Sequence, residues 1–536
     1  MGHSTPRGHG EPATIPSCMY DNQYLITREP VTAPDTCTTT RFGAFDVLTH
    51  HRLPVTAARD RDVEVLALGT LVDPDRPELD NAAIVSRLAT TGRDPAGHRM
   101  SVRRLSGRFV ILRSSRESCE AMADASALRQ LFYCHRDGET DLTSSPRMYR
   151  DLVGGAVAPT SDVASFLGSP SHAATESAWF GDGSVDPRLH KLLPNHVLDL
   201  ADGRVDRVPL PPASGENPTT TAGRLLSGTL EAIANRGQAV MPLTAGWDSR
   251  ILLAAARPIA DKVRFYVFAF DGMPADHPDL VVPRRLADAL DLDFEVIRPD
   301  PLRTDFVERF RREHIDARML PKTAAIQALY DLHHGTGHIH VTGNAGEIVR
   351  NFYGRLRVPL PRPLLLRTLV AAAGYPRHDR YIRSELERWL VDALPYAAEQ
   401  GVPILDLFYW EQRMGNWAAQ GAFELDLAME ELAPLSSATL VAEALTVDVG
   451  ARLPPDYDWC RDLVRGLWPE ALGEPVNPGT AMKRTVVARA KRSGVLNAAL
   501  QRARIIRSVR GSGSRVASDR STTPGPMRDE PGGNLT

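Results

Sequence analysis

"MPLTAGWDSRILLAAAR", residues 241–257, passes from an apolar run through a turn of small and hydroxyl residues into an Ala/Leu-rich helical pattern. A strand ending at Leu243, a turn over Thr244, Ala245, Gly246, Trp247, Asp248 and Ser249, and a helix from near Arg250 would aim several backbone N–H groups into one loop, together with the positive end of a helix. Such a loop suits a phosphate, with the Thr244 and Ser249 hydroxyls as further donors. The same residues also serve a plain strand-to-helix turn in which Asp248 or Ser249 only caps the helix. The surroundings have to choose between the two.

Working outward, strand "QAVMPLT", helix "SRILLAAAR", strand "VRFYVFAF", helix "LVVPRRLADALD" and strand "FEVIRP" alternate. That alternation implies βαβ units and a parallel sheet, whose ligands bind at the carboxyl ends of its strands. Upstream, "VEVLALGTLVDPDRPELD", "RLSGRFVILRSS" and "LRQLFYCHRDG" read as short strands broken by turns, with one helix, "LDNAAIVSRLATTG", opening on an Asp/Asn cap and ending at Gly92. Residues 187–210 read as a turn and a hairpin at Ala-Asp-Gly, "PPASGENPTT" as a linker, and the chain beyond 360 as largely helical. The fold class expected is α/β, with a β-rich first half and a parallel-sheet second half.

The 536 residues, 43% hydrophobic and 24% charged, are too many for one core and of ordinary globular composition. Lys and Arg number 63 against 66 Asp and Glu, a formal charge of -3, so no field favours nucleic acid or an anionic membrane. A small-molecule or peptide partner is expected. The five cysteines are scattered without zinc spacing and read as reduced structural thiols. No apolar run reaches the roughly 18 residues of a membrane span and residues 1–17 lack the core of a signal peptide, which together suggest the cytoplasm. Residues 1–17 and 501–536 have too few apolar side chains to fold and read as disordered; oligomeric state is not legible.

The opening stretch resembles the pyrophosphate-binding SGGxDS loop of the N-type ATP pyrophosphatases, above all that of the asparagine synthetase family. Thr244, Gly246, Asp248 and Ser249 fall in register, while Ala245 and Trp247 depart. Ala245 replaces a glycine, where a positive φ would cost energy. Downstream, "HIHVTGNAGEIVRNFYG" is similar to the family's second motif, SGEGSDEVFGGY, which places Thr342 and Gly343 on Ser-Gly, Glu347 on the magnesium-binding Asp and Tyr353 on the closing Tyr. A carboxylate opposite a phosphate loop is what a magnesium triphosphate needs, although Glu347 could equally be a first-turn acid favoured by the helix dipole. "PDLVVPRRLADALDLDFEVI" follows the family's pattern between the motifs, and "RFYVFAF", with Phe268, takes the position that holds adenine.

"RLSGRFVILRSS" and "MADASALRQLFYC" are similar to the family's glutamine amidotransferase domain, an Ntn fold. That domain's nucleophile is a cysteine at residue 2, where this chain has Gly2; Cys18 would be terminal only after processing, so the domain reads as degenerate and kept for packing. The resemblance runs over roughly residues 40–480 and implies a degenerate amidotransferase-like domain at 18–160 and an ATP pyrophosphatase domain with a helical C-terminal extension at 161–500. "LPNHVLDLADG" matches the family's linking element, and "WEQRMGNWAAQGAFE" and "EELAPLSSATLVAEAL" its acceptor side.

What the resemblance implies is an ATP-dependent ligase that activates a carboxylate as its acyl-adenylate, releases AMP and pyrophosphate, and joins an amine or ammonia rather than glutamine nitrogen. β-lactam synthetases and lasso peptide cyclases are branches of the same family, so an intramolecular or tailoring amidation in secondary metabolism or glycan modification is what the resemblance implies. ATP would lie against Thr244, Ala245, Gly246, Trp247, Asp248, Ser249, Phe268 and Gly343, and Mg2+ on Asp248 and Glu347. Two departures touch the chemistry. Asn344 stands where the family has a Glu that handles the amine, and the lysine that stabilises the transition state aligns onto Asn477, with Lys483 as the nearby catalytic replacement. The histidines of "LHHGTGHIH" have no metal-site spacing and read as strand-face and loop residues, one of them available as a proton acceptor. The alternative is a catalytically impaired nucleotide-binding or scaffolding protein of the same fold.

Overall fold

The computed structural model describes residues 19–478 except 156, 316, 319, 321 and 357, together with 493, 496, 498 and 499. Lys483, Cys18 and the two tails expected to be disordered lie outside the described residues.

The alternating runs of the first half form two antiparallel six-stranded sheets. One contains Tyr24–Thr27, Cys37–Phe42, Phe45–His50, Phe132–Arg136, Glu139–Thr143 and His190–Lys191; the other Val55–Asp60, Val63–Val72, Ser106–Ser114, Cys119–Ala123, His196–Asp199 and Val205–Arg207. Their facing sides interleave Ile26, Val47 and Leu142 with Leu66, Leu68, Val110 and Leu112. The period of two then turns Val65, Ala67 and Ile111 outward, where the helix Asn81–Thr91 covers them with Ile84, Val85 and Leu88. Asp80 caps that helix by accepting from the Ala83 N–H, and Gly92 ends it, as the sequence indicates. The short helix Pro146–Leu152 covers the other sheet through Met148 and Tyr149, which completes a helix, sheet, sheet, helix sandwich.

The sandwich does not end at residue 160. The strands at 190–207 pair with both sheets, while the helix Ser161–Leu167 packs with the second half, its Phe166 ring stacked on Tyr381 at 4.5 Å. The chain therefore crosses into the second core and returns, because 190–191 and 196–199 supply the pairing that the strands at 132–136 and 119–123 would otherwise lack.

The second half is built on a parallel sheet of five strands: β1 (Ala239–Pro242), β2 (Val263–Phe268), β3 (Phe294–Ile297), β4 (Ile339–Val341) and β5 (Glu430–Leu432). Their order is β3-β2-β1-β4-β5, so the winding reverses between β1 and β4. Both faces are covered: Ala239 and Met241 pack with Ile251 and Leu252 of the helix Trp247–Ala255, and Val240 on the opposite face joins Phe306, Phe310 and Leu329. Burial on both sides explains why these strands read as continuous apolar runs. Among the described residues no helix is long and apolar enough to cross a membrane.

Buried charges join the halves. Arg108 donates to both Asp426 carboxylate oxygens at 2.6 and 2.7 Å, and Arg129 reaches Asp426 at 3.4 Å and Glu430 of β5 at 2.7 Å. Removing one member of such a buried set leaves the others unpaired. Asp426→Ala should lower unfolding stability by about 3–5 kcal/mol in denaturant titration, whereas Arg461→Ala, which breaks an exposed pair with Asp458, should change it by under about 0.5 kcal/mol.

Glu313, facing the first half, accepts from the Tyr20 N–H at 2.7 Å. Burial, with Asp21 nearby, pushes its carboxyl up from 4.5 to about 7. The folded chain then keeps a proton that the unfolded chain releases, so stability falls as pH rises from about 4.5 to about 7. Glu313→Gln should flatten the stability profile across that window, measured by urea unfolding at stepped pH.

Candidate active site at the head of the parallel sheet

Where an open parallel sheet reverses its winding, the loops leaving the two central strands part and leave a crevice. Here those loops are Leu243–Gly246 after β1 and Thr342–Gly346 after β4. The two stretches singled out in the sequence, about a hundred residues apart, are therefore neighbours. Contact is close enough that a Cβ on Gly343 would come within 2.7 Å of the Asp248 Cβ, and one on Gly346 would collide with Asp248 Oδ1.

The first loop is stapled from within. Helix formation starts at Trp247, earlier than the sequence indicates, with Gly246 as its N-cap; Asp248 and Ser249 lie inside the helix and neither caps it. Ser249 Oγ accepts from the Thr244 N–H at 3.2 Å and donates back to the Thr244 carbonyl at 3.1 Å, and the Gly246 N–H donates to Thr244 Oγ1 at 3.2 Å. The Ala245 N–H donates to Asp279 Oδ1 at 2.9 Å, so a carboxylate occupies a position suited to an anion. Ala245 carries no backbone strain, because it is absent from the residues with positive φ and Gly246 sits at φ -82°. Left-handed positions around the site include Ala345, at φ 77° in the second loop, Asn351, Tyr457 and Asn477, at φ 47°.

Trp247 is buried and its ring lies 6.0 Å from that of Tyr457. Asn477 packs over the loop, its N–H donating to the Ala245 carbonyl at 2.7 Å. The buried Arg250 guanidinium holds the same segment by donating to the carbonyls of Ala471 and Glu474 at 2.6 and 2.8 Å. Phe268 ends β2, the next strand along, and its ring meets Tyr266 and Phe270. The sequence thus brings Thr244 through Ser249, Gly343 and Glu347 to one crevice, with Phe268 beside it.

The carboxylates of Asp248 and Glu347, 31% and 26% exposed, share a partner that the sequence reading passed over. Arg350, only 4% exposed, stands 2.6 Å from both oxygens of Asp248 and 3.1 Å from Glu347. Burial works against its charge, but the two carboxylates raise its pKa above the ordinary arginine value. A guanidinium spanning both acids already supplies the positive charge there, and among the described residues no group of three His, Cys, Asp or Glu could hold a metal ion. This donor set does not fit Mg2+ as it stands, so no step is assigned to one. The signal for Arg350 was its place three residues after Glu347, one helical turn on.

Asn344 is not isolated from a carboxylate. Its Nδ2 donates to Glu431 Oε1 of β5 at 3.4 Å, and Glu431 Oε2 meets His340 Nδ1 at 2.9 Å, whose Nε2 meets the Tyr266 hydroxyl at 2.8 Å. A chain of hydrogen bonds thus runs from β2 through β4 and β5 to the crevice. No sequence signal marks Glu431, which reaches Asn344 only through the order of strands. The remaining histidines are elsewhere: His333 and His338 line a cavity of about 700 Å³, shared with Arg52, Arg236 and Thr70, at the start of β4, and His334 meets the Leu427 carbonyl.

No protein-family model and no curated protein matches the chain. Among solved structures 26 chains match. One is a glutamine-dependent NAD+ synthetase from Acinetobacter baumannii in complex with ADP, 13% identical over 47% of this chain and 66% of that one, just under two thirds of its length, with a TM-score of 0.21. Another is a glutamine phosphoribosylpyrophosphate amidotransferase from B. subtilis complexed with ADP and GMP, 10% identical over 62% of this chain and 71% of that one, TM-score 0.18. Values this low leave the fold resting on its own topology.

Replacing Arg350 by Ala leaves Asp248 and Glu347 face to face without that counter-charge. The variant should melt at lower temperature than the native chain, and millimolar Mg2+ should recover part of the loss while leaving the native chain unchanged, as read by differential scanning fluorimetry.

Proposed function

We propose that this chain is an ATP-dependent ligase that joins an organic carboxylate to an amine or ammonia. The observation that carries the reading is the reversal of strand order between β1 and β4, which sets the Thr244–Ser249 loop against Gly343 and Glu347. A triphosphate in that crevice meets the hydroxyls of Thr244 and Ser249, the positive end of the helix Trp247–Ala255, and the Ala245 N–H once Asp279 yields it. Phe268, at the head of β2, offers a ring to the base.

In the first step a carboxylate oxygen of the substrate attacks the α-phosphorus and pyrophosphate leaves. In the second the amine nitrogen attacks the acyl carbon, AMP leaves, and the nitrogen gives up a proton. Asn344 cannot take that proton. Glu431, hydrogen-bonded to Asn344 and backed by His340, is a carboxylate beside the second loop able to do so. The expected Mg2+ and the role of Lys483 belong to this proposal only as expectations of the family resemblance.

Purified protein given ATP and a panel of organic acids with ammonia or amines should release AMP and pyrophosphate in equal amounts; release of ADP alone sinks the adenylation step. A second reading, a catalytically impaired nucleotide-binding or scaffolding protein of the same fold, has its scaffolding form favoured by one observation: Asp279 holds the Ala245 N–H that a phosphate oxygen would need. Either way Asp279 competes with the nucleotide. Asp279→Ala should tighten ATP binding by about tenfold, roughly 1.4 kcal/mol, in a calorimetric titration.

A further inference from the structure

A cavity of about 220 Å³ opens between the segment 174–180, the pair Phe352 and Tyr353, the helix end at Ala372 and Ala373, and the run Tyr409–Ala418. That run is wound as a π-helix, an uncommon geometry frequently found at functional sites. Aromatic rings make much of the wall, among them Trp179, Phe180, Phe352, Phe408 and Trp417. The cavity is next to the crevice. Tyr353 closes it on one side and packs 6.0 Å from the Tyr409 ring, and Tyr409 has its hydroxyl pKa raised by burial and, beyond that, by the charge of Glu347.

Two charged groups stand in this wall, Glu176 and Arg413. The Arg413 guanidinium lies 4.4 Å over the Trp417 ring and 5.2 Å over Phe352. It donates to the Tyr353 hydroxyl and its charge is felt by Glu176, while among the described residues no carboxylate stands within 4.0 Å of it. Glu176, also on the wall, is engaged by Lys322 at 2.7 Å and by Trp417 Nε1 at 2.8 Å. Trp179 is 8% exposed, and its buried Nε1 has no hydrogen-bond partner among the described residues. A guanidinium fork has five N–H donors, so one already on a tyrosine hydroxyl can still take a carboxylate.

The size and lining narrow the ligand further. A dry cavity of about 150 Å³ takes up benzene, so the present volume holds one ring with a short carboxylate arm. Flat rings around it favour an aromatic body, by offset or edge-to-face packing. We infer that this cavity seats a small aromatic monocarboxylate, its carboxylate on Arg413 and its ring among Trp179, Phe352 and Trp417. As the acid to be activated in the neighbouring crevice this ligand rests on the ligase reading; its binding does not, since it needs no nucleotide.

The test is a titration of the full chain, without ATP, by phenylacetate, benzyl alcohol and benzylamine, followed by calorimetry and tryptophan fluorescence. Phenylacetate should bind saturably and at least tenfold more tightly than the other two, and Arg413→Met should erase that preference. Equal binding of all three, no saturable binding of phenylacetate, or a preference that survives in Arg413→Met overturns the inference. Should Arg413→Met fail to fold, Ala373→Phe, which fills the cavity, must abolish phenylacetate binding; retained binding overturns it equally. Absence of AMP and pyrophosphate in the ligase assay would leave this titration unaffected, so the two failures are separable.

Discussion

Two acidic side chains from diverging loops face each other at the head of the parallel sheet, and one guanidinium lets them do so. Unit charges of like sign a few Å apart in a partly buried crevice repel by several kcal/mol; Arg350 turns that repulsion into a clamp on Asp248 and Glu347. The clamp works only because Gly343 and Gly346 have no side chain to hold Asp248 away. Upon the seated first loop rest Trp247 against Tyr457, the 471–477 segment over Ala245, and Arg250 beneath it. The crevice is thus a closed, internally satisfied arrangement, in which Asp279 and Arg350 hold positions that a phosphate and its counter-ion would claim.

Much of this was legible from residues whose signal is local. Asp80 and Gly92 bound their helix as read, the apolar runs at 239–242, 263–268 and 294–297 became parallel strands, and the order of the two loops along the chain set them at one end of the sheet. What escaped depends on partners distant in sequence. The cost expected at Ala245 never arises, since the turn passes through it without positive φ and left-handed residues around the site include Ala345 and Asn477. The acid missing at Asn344 is answered in space by Glu431, from a strand 87 residues on. The family resemblance implied a boundary at residue 160, yet strand pairing carries the sandwich to residue 207.

The aromatic cavity shows the same division. Its rings come from four separate segments, and in sequence each reads as ordinary core. Only their convergence around one guanidinium gives them chemical meaning. Within the run 409–418 Arg413 and Trp417, four residues apart, share one face and stand on the wall beside Gln412.

Asp426 draws Arg108 and Arg129 from the sandwich, and Arg129 continues to Glu430 at the edge of the second half's sheet. A gene that shed its first two hundred codons would therefore bare two carboxylates whose counter-charges had gone, beside the strand that carries Glu431. Even a sandwich with no reaction of its own is thus protected from loss by deletion. Electrostatics at the seam is by itself a reason for the sandwich to stay seated beside the parallel sheet, whatever chemistry it carries.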